Sequence, residues 1–156
     1  MTTVAWDGTT VAADTQANNS GLRSRTKKLH RLQDGRIYAF SGEIQDGRAV
    51  YDWLNGGEKS PKPAVSSSFV ALLICPNGHA YTIEDKLVLL PVLEGFRAIG
   101  SGRNFAMGAM AVGADAVKAV AAAIQLDVYS GGDIETLTST IPIESVDPHI
   151  NCITPQ

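Results

Sequence analysis

The first residues after the initiator methionine are two threonines, and a threonine at a chain terminus can act as a nucleophile. Removal of Met1 is favoured when the next residue is small, and it would leave Thr2 with a hydroxyl and a free α-amine on one residue. That amine titrates at about pH 8 in a free chain, and pairing a threonine with its own amine activates a weak hydroxyl. Many Met-Thr-Thr starts are plain initiator sequences, so a catalytic interpretation needs partner residues elsewhere in the chain.

Six residues at the ends of predicted elements could supply such partners: Asp14, Lys28, Gly42, Ser101, Asp127 and Ser130. Each also has a structural explanation on its own. Lys28 lies in a basic run that favours a solvated face, Asp14 could start a turn, and Gly42 could open a helix. Ser101 lies between two glycines without the Lys-Ser/Thr of a phosphate loop, and Asp127 could belong to a helix end.

Hairpins and helices alternate along the chain in a pattern typical of stacked sheets flanked by helices. Asp7-Gly8, between runs rich in Val, Thr and Trp, favours a tight two-residue turn, and the polar residues 18–25 predict a loop. Residues 43–54 predict a short helix, and residues 55–68 an exposed linker. Residues 104–126, interrupted at Gly113, predict two helices. Further strands are predicted at 28–32, 36–41, 69–75, 79–83, 87–90, 96–99 and 134–141, and the apolar run at 69–75 should be covered on both faces.

Length and composition exclude several classes of protein. The 156 residues suit one domain, and a net charge of −3 leaves no basic footprint for nucleic acid. Cys75 and Cys152 fit a reduced compartment better than a disulfide framework. No signal sequence or membrane span is evident, so we expect a cytoplasmic protein without a membrane partner. The three histidines (His30, His79 and His149) share no metal-ligand spacing, and we expect neither metal nor cofactor.

In order and local context, Thr2 and the six partner residues resemble the catalytic set of the proteasome β-subunit and HslV family of N-terminal threonine hydrolases. The matching motifs are Thr-Thr-Val at the N-terminus, Ala-Ala-Asp14, Thr-Lys-Lys28-Leu, Phe-Ser-Gly42, Ile-Gly-Ser101-Gly and Asp127-x-x-Ser130-Gly-Gly. Each motif alone is weak. All six in the same order, over residues 2 to about 140, make a specific pattern.

The resemblance implies a role for each residue. Lys28 would disfavour protonation of the Thr2 amine and stabilise a developing alkoxide, with Asp14 as its counter-ion. Gly42 would donate its backbone N–H to the substrate oxyanion. The remaining three residues would orient the amine by hydrogen bonds: Ser101, Asp127 and Ser130. Substrate contacts are implied at Ala17, Thr26, Phe40 and Ile44.

The resemblance also implies a fold and an assembly. We expect an α+β protein, a four-layer αββα sandwich of two antiparallel sheets, with its domain at residues 1–141 and an extended tail at 142–156. Self-association into rings is implied, with the helices of 104–126 between stacked rings. Family members place two long helices after the residue matching Gly42, but residues 43–68 have room for one. The first helical layer should therefore be shortened, and docking of an ATPase or other cap is left open.

The sequence therefore predicts a threonine endopeptidase that acts on unfolded polypeptides, and maturation would need only removal of Met1. Two alternatives stay open. The chain could be a non-catalytic assembly or binding protein on the same fold, or a small-molecule amidase, because a fold alone does not fix the substrate.

Overall fold

The computed structural model describes residues 1–139, and residues 140–156 lie outside the described part. Three helices are present there: α1 (Ile44–Asn55), α2 (Arg103–Ala111) and α3 (Ala116–Leu126). The strands are β1 (Thr3–Trp6), β2 (Thr10–Asp14), β3 (Gln16–Asn19), β4 (Leu22–Arg25), β5 (Leu29–Arg31), β6 (Ile37–Ser41), β7 (Val70–Ile74), β8 (Ala80–Ile83), β9 (Leu89–Pro91), β10 (Arg97–Gly100) and β11 (Ile134–Thr138). The last predicted strand thus begins as expected and ends at Thr138, whereas residues 140 and 141 of its predicted span, the domain boundary and the predicted tail lie outside the described residues.

Two antiparallel sheets face each other at the centre of the molecule. The first has the order β10-β1-β2-β11 and the second the order β5-β6-β7-β8-β9. Side chains from both sheets, among them Val4, Val11, Ile37 and Leu72, form the core between them. Because side chains alternate along a strand, the other face of each sheet needs its own cover. Helices α2 and α3 cover the first sheet, and α1 packs on the second. This α+β, four-layer arrangement confirms the predicted fold class.

Small side chains bring the helices close to the first sheet. Ala5 and Ala12 of the sheet pack in one buried cluster with Ala119 and Val120 of α3. The predicted break between the two helices is confirmed at Gly113, which has a φ of +101° that L side chains rarely adopt.

The first hairpin is confirmed, but its turn is longer than predicted. Three residues, Asp7 to Thr9, join β1 to β2, whereas two were expected. The Asp7 carboxylate accepts the N–H groups of Thr9 and Thr10 through one oxygen, and that of Ala116 at the start of α3 through the other. Burial acts to raise the pKa of Asp7, but these backbone donors hold the pKa below its ordinary value. One acidic side chain therefore joins the turn to the helix layer.

The loop predicted at residues 18–25 is wrong. Strands β3 and β4 form a separate two-stranded ribbon there. Ser20 and Gly21 both have positive φ angles, +49° and +82°, as a tight two-residue hairpin turn requires. Most of the ribbon is exposed on both faces. It therefore lacks the alternation of apolar and polar residues that marks a half-buried strand.

The shortened helical layer is confirmed, since α1 is the only helix between β6 and β7. The linker after it is mostly exposed, as predicted, but it is attached to the core. Val65 packs against the outer cluster of the second sheet, and the Trp53 indole N–H donates to the Ser60 carbonyl at 3.0 Å. The buried Arg36 guanidinium donates to the Leu54 carbonyl near the end of α1.

Strand β7 is buried over Ala71–Ile74, which confirms that this apolar strand is covered on both faces. Cys75 follows it, is fully buried and is disulfide-bonded, so the expectation of reduced cysteines is wrong at this residue. The presence of only two cysteines in the sequence had favoured reduced thiols.

Among residues 1–139, no helix is long and apolar enough to cross a membrane, and no group of side chains has the arrangement of a metal site.

Candidate active site

Strand ends from both sheets meet at one edge of the sandwich. In the first sheet Thr3 pairs with Gly100 and Val4 with Ala13, which places the start of β1 beside the ends of β2 and β10. In the second sheet Ser41 pairs with Val70, so β6 ends beside the start of β7. Antiparallel pairing therefore brings together residues that are far apart in the sequence. All seven predicted catalytic residues are at element ends or in the turns that follow them: Thr2, Asp14, Lys28, Gly42, Ser101, Asp127 and Ser130.

Asp14, the last residue of β2, is completely buried and accepts hydrogen bonds from several elements. Its Oδ1 accepts the Thr3 N–H at 2.9 Å and the Lys28 ammonium at 2.7 Å. Its Oδ2 accepts the Gly131 N–H at 3.0 Å and, more weakly, that of Gln16 at 3.4 Å. A buried carboxylate is tolerated when it is paired and hydrogen-bonded in this way. Asp14 thus holds the start of β1 and the lysine in one position.

Lys28 is 5 % exposed, and its ammonium lies between Asp14 and the carbonyl oxygen of Met1, at 3.3 Å from the latter. Burial is the largest influence on this group and lowers the pKa of Lys28. The nearby carboxylates of Asp14, Glu135 and Asp127 act in the opposite direction. The prediction that Lys28 belongs to a solvated basic face is therefore excluded, and the ion pair with Asp14 is present.

Thr2 is 6 % exposed and precedes β1. Its carbonyl oxygen accepts a weak hydrogen bond from the Ser101 hydroxyl at 3.4 Å. It also lies so close to Gly100 that a Cβ atom built there would be 1.8 Å from it. Gly100 has a φ of +98°, so the backbone next to Thr2 requires glycine for two independent reasons.

A second network lies on the other side of β1. Asp127 Oδ2 accepts the hydroxyls of Ser101 and Ser130, both at 2.6 Å, and Oδ1 accepts the Tyr129 N–H at 3.2 Å. Burial acts to raise the pKa of Asp127, but the two serines, the backbone N–H and the charge of the chain's amino terminus hold the pKa below its ordinary value. The charged carboxylate is therefore the stable form.

Thr3 was not singled out from the sequence, and it joins this network. It is completely buried, and its hydroxyl lies 2.6 Å from that of Ser130. Since Ser130 uses its one hydrogen on Asp127, Thr3 is the donor in this pair. The Thr-Thr repeat at the chain start was the available signal. One threonine was assigned to the chemistry, and the other fixes the strand that carries it.

Gly42 follows β6 and adopts a φ of +129°. A Cβ atom there would lie 3.3 Å from the Phe69 Cα, in a tight contact. Only glycine combines this backbone conformation with this spacing without strain.

The predicted substrate contacts are more dispersed. Ala17 is half-buried on β3, and Ile44, the first residue of α1, is 71 % exposed. Phe40 belongs to the outer face of the second sheet, where its ring stacks on those of Tyr38 and Phe69 with centroids 5.9 and 6.4 Å away. Its ring therefore packs between the sheet and α1.

Two cavities border the site. The first, of about 330 Å³, includes the predicted substrate contact Thr26 and is lined by Thr15, Arg25, Thr26, Lys27, Asp133 and Glu135. The second, of about 420 Å³, reaches Gly100 beside Thr2 and has arginines 97 and 103 in its wall. Thr2 lines neither of these two cavities.

No protein-family model matches the sequence, and no curated protein does. Solved structures do match. BPH from Thiobacillus denitrificans in complex with epoxomicin has a TM-score of 0.69 and 20 % identity, covering 88 % of this chain and 97 % of that one. A second structure of Thiobacillus denitrificans BPH has a TM-score of 0.67 and 20 % identity, covering 87 % of this chain and 96 % of that one. Eukaryotic HslV from Trypanosoma brucei gives 0.66 and 22 %, over 88 % and 98 %. The chain therefore has the fold of the HslV and proteasome-type N-terminal nucleophile hydrolases.

Proposed function

We propose that the protein is a threonine peptidase that uses Thr2, after removal of Met1, as its nucleophile. The observation that carries this proposal is the position of the Lys28 ammonium. It lies 2.7 Å from Asp14 and 3.3 Å from the carbonyl of Met1, the group bonded to the Thr2 nitrogen. A cation held at this point is placed to act on both the amine and the hydroxyl of Thr2.

The reaction follows from these groups. The Thr2 α-amine takes the proton of the Thr2 hydroxyl as Oγ1 attacks the substrate carbonyl carbon. The Gly42 N–H stabilises the oxyanion, and the protonated amine then gives its proton to the departing amine of the peptide. An ester on Thr2 remains. Water attacks this ester with the same amine as base, the new carboxylate departs, and the proton returns to the threonine oxygen.

The network around Asp127 would orient the amine. Ser101 contacts both the Thr2 carbonyl and the Asp127 carboxylate, and Ser130 holds the same carboxylate from the other side. A negative charge near the amine opposes the effect of Lys28 on the amine's pKa. The balance of the two charges would keep the base in its working range.

Exposed apolar residues on the α2–α3 layer support a homo-oligomer. Val112 is 87 % exposed, and Phe105 and Val117 are about two-fifths exposed. Exposed apolar residues of this kind are typical of a contact surface between proteins. We therefore propose that copies of this chain form stacked rings that enclose Thr2. The proposed substrates are unfolded polypeptides. Light scattering should give a particle of many subunits, and Val112→Asp should shift it towards smaller species. Leu93→Asp, at an equally exposed position after β9, is the matched control. A wild-type monomer of 16.5 kDa would contradict the assembly.

The decisive test of the activity is covalent labelling. Epoxomicin, the ligand of the Thiobacillus denitrificans BPH complex, is an epoxyketone that can react with an N-terminal threonine through both its hydroxyl and its amine. Intact-mass analysis should show loss of Met1 and addition of one epoxomicin per chain, and peptide mapping should place it on Thr2. Thr2→Ala should remain unlabelled. Wild-type protein that has lost Met1 and still does not react would contradict the proposal.

A second candidate is a non-catalytic assembly protein that retains Met1, and the observation that favours it is the single helix, α1, between β6 and β7. With Met1 in place, the Thr2 nitrogen belongs to a peptide bond and is not a base. The neighbouring Lys28 ammonium still has a hydrogen-bond acceptor there, because it donates to the Met1 carbonyl. Retention of Met1 in protein produced with active methionine aminopeptidase, together with ring formation, would favour this candidate over the peptidase.

A further inference from the structure

Glu135, on β11, extends its side chain from the first sheet to the second. Its Oε1 accepts the backbone N–H of Lys28 and also that of Leu29, the latter at 2.8 Å. These two amides stand at the start of β5, the edge strand of the second sheet. One carboxylate oxygen of Glu135 therefore holds the backbone at Lys28 itself.

The location of this contact matters because the Lys28 side chain must reach a fixed target. Its ammonium meets Asp14 at 2.7 Å, and Asp14 also fixes the start of β1 through Thr3. Asp14 thus positions the ammonium end of the lysine, and Glu135 positions its backbone end. Hydrogen bonds from N–H groups to a carboxylate are stronger than those to neutral acceptors, which suits a contact that must hold a strand edge.

The charge of Glu135 is also directed at this lysine. The carboxylates of Asp14, Asp127 and Glu135 lie in different parts of the chain, and all three favour the charged form of Lys28. The side chain of the neighbouring Lys27 is exposed to solvent. Glu135 therefore combines two effects, a fixed backbone and a negative charge. These effects can be separated, because glutamine keeps the acceptor oxygen and loses the charge.

We propose that Glu135 is a positioning residue of the peptidase site, holding Lys28 where its ammonium can act on Thr2. This inference rests on the proposed function. The competing explanation is that Glu135 only stabilises the junction between β5 and β11. Arg31 provides the matched control for that explanation, since its guanidinium joins the same two strands by donating to the Thr138 carbonyl at 3.1 Å. Its side chain is exposed, and none of its hydrogen bonds in residues 1–139 is to Lys28.

The experiment measures the rate of epoxomicin labelling of Thr2 across a pH series, in wild type and in Glu135→Ala, Glu135→Gln and Arg31→Ala. Glu135→Ala should slow labelling about 10- to 100-fold, by analogy with the range found when a group that orients a metal ligand is removed. Arg31→Ala should stay within about threefold of wild type, because an exposed contact is worth little. Denaturant midpoints identify any loss that comes from unfolding.

Glu135→Gln separates charge from position. It should label at nearly the wild-type maximal rate, with the rising limb of its pH profile moved to lower pH. The sign follows because removal of a negative charge disfavours the protonated form of neighbouring amines. The inference is overturned if Glu135→Ala labels as fast as wild type, or is slowed no more than Arg31→Ala at equal stability. Wild-type protein that does not label refutes the proposed function itself, and the inference with it.

Discussion

The buried pair of Asp14 and Lys28 should be asymmetric, so that loss of the acid costs more stability than loss of the lysine. If Lys28 becomes methionine, the Asp14 carboxylate still accepts the N–H groups of Thr3 and Gly131, at 2.9 and 3.0 Å. If Asp14 becomes asparagine, the ammonium keeps the Met1 carbonyl at 3.3 Å as a neutral acceptor and loses its closest charge. The amide would also turn one N–H₂ group towards a backbone donor.

The magnitudes follow from burial. Lys28 is 5 % exposed, so leaving its charge unpaired in Asp14→Asn should cost about 3–5 kcal/mol of unfolding free energy. Lys28→Met keeps the apolar stem and removes one charged hydrogen bond, a loss of about 1.5–3 kcal/mol. The centres of these two ranges differ by about 1.8 kcal/mol, which corresponds to a difference of about twentyfold in the unfolding equilibrium constant. Both variants should lose epoxomicin labelling.

Urea unfolding at pH 7 measures this difference. All proteins must be compared at one subunit concentration, because association adds to apparent stability. The slope of free energy against urea should be the same in the three proteins, so that the midpoints report stability alone. If Lys28→Met proves as destabilising as Asp14→Asn, the backbone donors do not compensate Asp14, and the argument from its hydrogen bonds is wrong.

Three further perturbations test the frame of the site. Gly100→Ala should abolish labelling, because its Cβ would overlap the Thr2 carbonyl. It should also destabilise the fold by at least about 1–2 kcal/mol, which is the cost of a positive φ alone. Gly113→Ala, also at a positive φ but with open space around it, is the control. Ser101→Ala should raise the pKa of Asp127. The part of the stability loss that comes from this ionisation should be fully present at neutral pH, decline as the pH falls below about 4, and be absent below the depressed folded-state pKa of Asp127, because a lowered carboxyl pKa stabilises the fold only where the unfolded state is ionised. Trp53→Phe should lower the free energy of unfolding, measured by urea, by about 0.5–1.5 kcal/mol, the contribution of one hydrogen bond, without changing labelling.

The catalytic candidates could be named from the sequence because six short motifs occur together in one order, although each motif alone is weak. Glycines 42 and 100 stand where the backbone needs a positive φ, Asp14 is the last residue of β2, and Lys28 directly precedes β5. The two helices on either side of Gly113 were predicted because this glycine interrupts a run of residues that favour helix. A short motif next to a strong hydrophobic periodicity predicts where an element ends. In this fold the candidate site residues lie at or next to the ends of elements.

The contacts that local sequence does not encode were missed. Glu135 lies 107 residues from the amide of Lys28, and Asp7 lies 109 from that of Ala116, so neither pairing has a local signal. The β3–β4 ribbon was missed because both of its faces are exposed, which removes the periodicity that identifies a strand. Long-range partners need the three-dimensional register, and exposed ribbons need their turn geometry.

The same contacts explain why the site can be complete before Met1 leaves. The position of Thr2 is set by its neighbour Thr3, whose amide is bound to Asp14 and whose hydroxyl is bound to Ser130. Met1 is 60 % exposed and contributes a carbonyl to one lysine contact. Its removal would therefore leave both attachments of Thr3 intact while converting the Thr2 nitrogen from an amide into an amine. The framework would already be in place when the base is created, because the start of β1 is held through Thr3 and not through Met1.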